Sequence, residues 1–148
     1  MNDPNKQLSK ETVKRFLQLN RHMRQAARQI TSFGIRPRDF SVLRHIHESG
    51  PLTIGEIQEY ILSSPSTAST VVAKLEGDGY VTRTRSKEDN RVVFVELTEA
   101  GQELAVRTPM QGVPLLRRRL EALPEDDIRH INDALGEILR LMEVPDRA

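Results

Sequence analysis

Residues 50–97 read GPLTIGEIQEYILSSPSTASTVVAKLEGDGYVTRTRSKEDNRVVFVEL, and the order of signals in this stretch decides the fold. Gly50-Pro51 ends any helix before it, because glycine takes the left-handed cap and proline cannot continue the helix. Thr53-Ile54-Gly55-Glu56 is a capping box, a hydroxyl followed three residues on by a carboxylate. It predicts a short helix over Ile54–Tyr60. Ser64-Pro65 is a second start, with the serine as cap and the proline in the first turn, where no amide donor is needed. That helix runs to about Gly77 and turns Ala68, Val71, Val72 and Leu75 towards a core. The period then changes. Residues 80–85 and 92–97 alternate in part and are rich in β-branched side chains; polar residues 86–91 lie between them, which predicts a β-hairpin with a longer loop.

Upstream, Pro37 suits the first turn of a helix whose core face is Phe40, Leu43 and Ile46. Before it, residues 9–31 carry Val13, Phe16, Met23, Ala27 and Ile30 in one stripe of helical spacing, broken at Asn20 and widened by Leu17 and Leu19. Residues 1–8 read as a polar, frayed arm. Downstream, Thr98 caps a further helix, which Pro109 and Pro114, with Gly112 between them, must kink or break. Pro124 followed by Glu125, Asp126 and Asp127 opens a last helix, with the acids at the positive end of its dipole. In it Ile128, Ile131, Leu135, Ile138 and Met142 form a heptad-like seam. Residues after Val144 are expected to fray.

Two short helices joined by a tight turn, then a basic hairpin, describe a winged helix-turn-helix. The fold class is mainly α with a small β-hairpin wing. Three segments follow: an N-terminal arm and dimerisation helix (1–34), a DNA-binding lobe (35–97) and C-terminal dimerisation helices (98–148). A helix fits the major groove, and residues near its N-terminus meet base edges. The candidate DNA contacts are Thr53, Ser64, Pro65, Ser66, Thr67, Ser69, Thr70 and Lys74, with Arg83, Arg85, Lys87 and Arg91 from the hairpin. One arginine of such a loop can lie along a narrow minor groove. Plainer readings stand beside these: the serines as helix-start residues, the hairpin cations as solvated edge charges, Asp89 as structural, and the two stripes as packing within one chain.

Composition bounds the alternatives. The chain has 148 residues, no cysteine, 37% hydrophobic residues and a formal net charge of +1. Without cysteine there is no disulfide framework, thiol nucleophile or zinc ribbon. The apolar share is low for a self-sufficient globule, which favours burial against a second copy. Split by segment, residues 1–32 carry +5, residues 33–97 carry −1 and residues 98–148 carry −3. Nucleic-acid binding would therefore depend on local placement of charge. No run is long enough to span a membrane and no signal peptide is evident, so the expected location is cytoplasmic. His45 and His47 are two apart, a spacing that points them in different directions on a helix, so no metal site or cofactor is expected.

The run Asp89-Asn90-Arg91-Val92-Val93-Phe94-Val95-Glu96-Leu97-Thr98-Glu99-Ala100-Gly101 resembles the wing signature of the MarR family of bacterial transcription regulators. Ser64-Pro65-Ser66-Thr67-Ala68-Ser69, followed by Lys74-Leu75-Glu76, is similar to that family's recognition helix. Phe40-Ser41-Val42-Leu43-Arg44 and Gly50-Pro51-Leu52-Thr53 resemble the segment before it. The resemblance implies a homodimeric repressor that binds a palindromic operator. It implies Arg91 as the minor-groove arginine and Asp89 as its brace. It also implies release by a small aromatic or anionic effector, for which Arg15, His22 and His47 are the candidate contacts. Two features depart from the family's pattern: Thr70 stands where many relatives carry a basic residue, and Pro109 and Pro114 interrupt a helix that is often continuous.

Two other classes remain as contrasts. A winged-helix module that binds a protein partner instead of DNA fits the low charge of residues 33–97. An enzyme is not expected, because no phosphate-binding glycine loop, nucleophile elbow or zinc-protease motif is present.

Overall fold

The computed structural model describes residues 3–145. It divides into two compact units, one ending at Pro114 and one beginning at Leu115.

The first unit opens with helix α1, Pro4–Thr31. It starts earlier than its apolar stripe predicts. The Asp3 carboxylate accepts the Asn5 amide at 3.0 Å, and Pro4 fills the first turn. An aspartate cap and a first-turn proline nucleate the helix before any side chain is buried. Residues 3–8 are therefore not a frayed arm; residues 1 and 2 lie outside the described residues. Only Ala26 and Ile30 of α1 are buried, while Val13, Leu17 and Leu19 are exposed.

Helix α2, Pro37–Ser49, buries Phe40, Val42, Leu43 and Ile46. It stops at Gly50, whose φ of 83° is open to glycine without strain. The next elements are strand β1 (Leu52–Thr53), α3 (Ile54–Tyr60) and α4 (Pro65–Gly77). Strands β2 (Val81–Arg85) and β3 (Val93–Leu97) follow. The sheet has three antiparallel strands in the order β1-β3-β2, one more than the expected hairpin. β1 pairs Leu52 with Val95 and Thr53 with Phe94. Two residues carry no period, so this strand exists only through its partner.

Both capping readings hold in detail. The Glu56 amide donates to Thr53 Oγ1 at 3.2 Å while the Thr53 amide donates to Glu56 Oε2 at 2.7 Å. The Thr67 amide donates to Ser64 Oγ at 3.2 Å. The core gathers Phe40, Leu43 and Ile46 of α2 with Ile57, Val72, Leu75, Val81 and Val95, and Leu104 closes it from α5, Glu99–Arg107. Each fully buried aliphatic or aromatic side chain of this kind stabilises by about 1.5–3 kcal/mol. Arg44 ties α2 to α5, since its Nη1 donates to the Ala105 carbonyl at 3.1 Å and its Nη2 meets Glu48 at 2.9 Å. A cation among the last carbonyls of a helix also complements its dipole.

The helix after the wing breaks where its prolines predict. α5 ends at Arg107 and α6, Val113–Glu121, begins after Gly112, whose φ is 66°. In the second unit α7 spans Glu125–Leu141, with Pro124 at the N-cap and three acids in the first turn. No residue of α7 is buried: Ile131, Leu135 and Leu139 of its apolar face are open. The expected fraying after Val144 falls largely outside the described residues, which end at Pro145.

Candidate nucleic-acid interface

Helix α4 presents one side to the core and the other to solvent. Ala68, Val71, Val72 and Leu75 are buried; Ser66, Ser69, Thr70, Ala73 and Lys74 are exposed. The helix begins in a cluster of hydroxyls. Ser64 Oγ lies 3.0 Å from Ser66 Oγ and 2.9 Å from Thr67 Oγ1, and Pro65 occupies the first turn. With no amide hydrogen on Pro65 and the Thr67 amide held by Ser64, the Ser66 amide and the helix dipole are what this turn offers an anion. Before it, the α3–α4 turn passes through Leu62, exposed and at a φ of 51°. Thr53, placed among the candidate contacts by sequence, has its hydroxyl engaged in the α3 capping box.

Cations border α4 on two sides. On one, Arg36, Pro37 and Arg38 at the start of α2 line an open groove with Ser66, Thr67 and Thr70. Asp39, almost fully buried, holds Arg36 through two hydrogen bonds of 2.7 and 3.0 Å. Those bonds raise the guanidinium pKa above its usual value and fix its position. Arg38 is exposed beside it. The sequence reading passed over both arginines. Their signal was there, two cations flanking a helix-start proline, but only the fold brings them to α4.

On the other side Arg83 Nε lies 3.2 Å from Glu76 Oε2, so β2 runs beside the C-terminal half of α4. Lys74 pairs with Asp78 at 2.8 Å. Arg85 Nη1 donates to the Asn90 carbonyl at 3.1 Å and so serves the wing itself. The wing loop is internally organised. Ser86 Oγ accepts the amides of Glu88 and Asp89 at 3.2 and 3.3 Å, and the Arg91 amide donates to Asp89 Oδ1 at 3.0 Å. Arg91 Nε meets the same carboxylate at 3.2 Å. The backbone hydrogen bond, then the side-chain one, hold the Asp89 carboxyl below the usual carboxylate range. Lys87 and Arg91 are exposed at the tip.

A sequence profile of the MarR family matches residues 35–93. The transcriptional regulator MhqR of Bacillus subtilis is 30% identical over 135 residues, which cover 88% of this chain and 93% of that protein. The chain belongs to the MarR family. As a member it has the family's winged-helix fold. The transcriptional repressor IacR of Pseudomonas putida is 29% identical over 69% of this MarR-family chain and 61% of its own length. The chain spans less than two thirds of the length of the first curated relatives it matches. In fold, this MarR-family chain is similar to AbsC of Streptomyces coelicolor, with a TM-score of 0.64, 22% identity and coverage of 98% and 99% of the two chains.

The three candidate effector contacts are not brought together. His47 Nδ1 lies 3.0 Å from Gln102 Oε1 and lines a shallow cavity of about 380 Å³ with Pro51, Glu96 and Leu97. Neither Arg15 nor His22 lines that cavity. Arg15 is paired with Glu11 on the open surface of α1 at 2.8 Å, and His22 is exposed on the same helix. Among the described residues no group of acids or histidines is arranged to hold a metal ion, and no helix is long and apolar enough to cross a membrane.

Proposed function

We propose that this protein is a transcriptional regulator, a homodimer that binds a palindromic operator in double-stranded DNA and represses transcription there. The observation that carries the proposal is the exposed, small-residue face of α4 bordered on both flanks by cations, Arg36 and Arg38 from α2 and the arginines of the wing. A helix with that face enters a major groove while its flanks meet the phosphates on either side. Ser64, Ser66, Thr67 and Ser69 place hydroxyls and Ser66 an amide at the entry point, and Lys74 and Lys87 add charge. Arg91, held by Asp89, reaches for the minor groove beside the half-site. The exposed apolar faces of α1 and α7 supply the surface that a second copy covers. IacR, named a repressor, supports that sign of regulation.

A small aromatic or anionic effector that changes the spacing of the two recognition helices completes the proposal. It acts only through unequal affinity for the two spacings. The His47–Gln102 cavity is the site we assign to it, with no turnover involved.

The deciding experiment is selection of random duplexes by the purified protein at moderate salt. A palindrome with half-sites about 10 base pairs apart, centre to centre, is expected. A pool with no enriched sequence would overturn DNA reading and favour a protein-binding winged helix.

A further inference from the structure

The solvent face of α4 is chemically one-sided. Its sequence, PSTASTVVAKLEG, contains no arginine, asparagine or glutamine. The polar groups it does carry are largely committed inside the chain. Thr70 Oγ1 donates to the Ser66 carbonyl at 2.9 Å. The hydroxyls of Ser64, Ser66 and Thr67 bond to one another at 2.9–3.0 Å. Lys74, the one long donor of the helix, is held by Asp78 at 2.8 Å. With its hydroxyl folded back along the helix, Thr70 leaves its methyl facing outward. The Ala73 methyl stands three residues on, on the same face.

The major groove shows different groups for each base. Guanine is met by the paired donors of arginine or lysine, adenine by the amide of asparagine or glutamine, and thymine by apolar contact with its C5 methyl. Cations on both flanks independently mark this face as the one turned to a polyanion: Arg38 is exposed in the groove beside Thr70, and Arg83 stands beside Glu76. Between those flanks the free groups are the methyls of Thr70 and Ala73 and the exposed hydroxyl of Ser69, and a serine hydroxyl suits any base edge and so discriminates little.

We infer that Thr70 and Ala73 determine operator specificity by reading thymine methyl groups, so that each half-site is recognised through thymines in the major groove and not through guanine. This rests on the DNA-binding reading above. It predicts an operator whose essential positions are A·T pairs of fixed orientation. Orientation matters because the methyl lies on only one strand of each pair.

The test uses the best duplex from the random selection and two chemical variants of it. In one, deoxyuridine replaces thymidine within the half-sites, which deletes only the C5 methyl. In the other, 7-deazaguanine replaces guanine, which deletes the N7 acceptor. Each contacted methyl is expected to be worth about fourfold in affinity, the value of burying one methylene-sized group. The uracil duplex should therefore bind several-fold more weakly, while the 7-deazaguanine duplex binds within twofold of the original. Thr70→Ser keeps the back-bonded hydroxyl and removes one methyl. It should lose affinity for the thymine duplex and lose nothing further on the uracil duplex at the contacted position. Ala73→Asn, which adds an amide, should create a new adenine preference. Equal binding of thymine and uracil duplexes, or a loss confined to 7-deazaguanine, overturns the inference while leaving DNA binding intact. Failure of the protein to select any duplex overturns the function itself.

Discussion

Gly101 sits so close to Tyr80 that any side chain at 101 would overlap the Tyr80 carbonyl oxygen and stand 2.9 Å from its carbonyl carbon. The Thr98 amide donates to that same carbonyl at 3.0 Å, and Thr98 Oγ1 donates to the Gly79 carbonyl at 2.6 Å. α5 is thereby seated on the turn that ends α4 and starts β2. Gly101→Ala must push α5 off this seat. Overpacking of this kind costs about 1–3 kcal/mol, read as a lower urea midpoint with an unchanged slope. A midpoint equal to the wild type would show that the contact yields freely.

The Arg91 side chain is 91% exposed and, among the described residues, anchored by Asp89. Arg91→Ala is expected to weaken binding of the selected duplex by roughly tenfold and, where the arginine also meets a phosphate, to reduce the salt slope by about one. Asp89→Asn should give a smaller loss, because it frees the wing without removing the cation. An affinity unchanged in both variants removes the wing tip from the interface.

The same pair sets a pH dependence. The Arg91 hydrogen bonds lower the Asp89 pKa in the folded chain. The wing brace is therefore fully present above the pKa of an unrestrained aspartate and is lost as pH falls through the lowered folded value. The Arg91 amide resonance, followed by NMR, should titrate with a midpoint below that of a free aspartate. A midpoint at or above it would contradict the brace.

Arg38→Ala tests the flank that sequence reasoning passed over. Loss of one phosphate contact should weaken all duplexes alike and reduce the salt slope by about one, with the selected sequence unchanged. Arg36→Ala adds a stability cost, because it leaves the buried Asp39 carboxylate without its partner. A normal salt slope for Arg38→Ala would place the α2 terminus away from the DNA.

Leu135 lies on the open face of α7 and is 47% exposed in the single chain. Leu135→Glu leaves the packing of one chain intact and charges the face proposed to meet a second copy. Sedimentation should show a monomer with wild-type helical content and much weaker binding to a full palindrome. A dimer that persists would move the interface elsewhere.

Much of the fold was legible because its signals are local. Thr53 and Glu56, Ser64 and Pro65, and Gly50 each satisfy or release backbone groups within a few residues, so their pattern marks element ends directly. Asp3-Pro4 was an equally local start, hidden only because no buried stripe follows it closely. β1 was not legible, since Leu52 and Thr53 become a strand only when Val95 and Phe94 arrive beside them.

The sequence by itself determined the succession of helices and wing, the buried faces of α2 and α4, and the Asp89–Arg91 spacing that stiffens the loop. These depend on caps, periodicity and contacts two to four residues apart. Only the tertiary structure decided which charges stand beside α4. Arg36 and Arg38 line its groove with Thr70, and Arg83 reaches Glu76 from a neighbouring strand. It also decided that Gly101 must be glycine, because the obstacle is a carbonyl 21 positions earlier in the chain. Such pairings follow from how layers pack around a shared core, and no local pattern of residues encodes a distance between segments that meet only after folding.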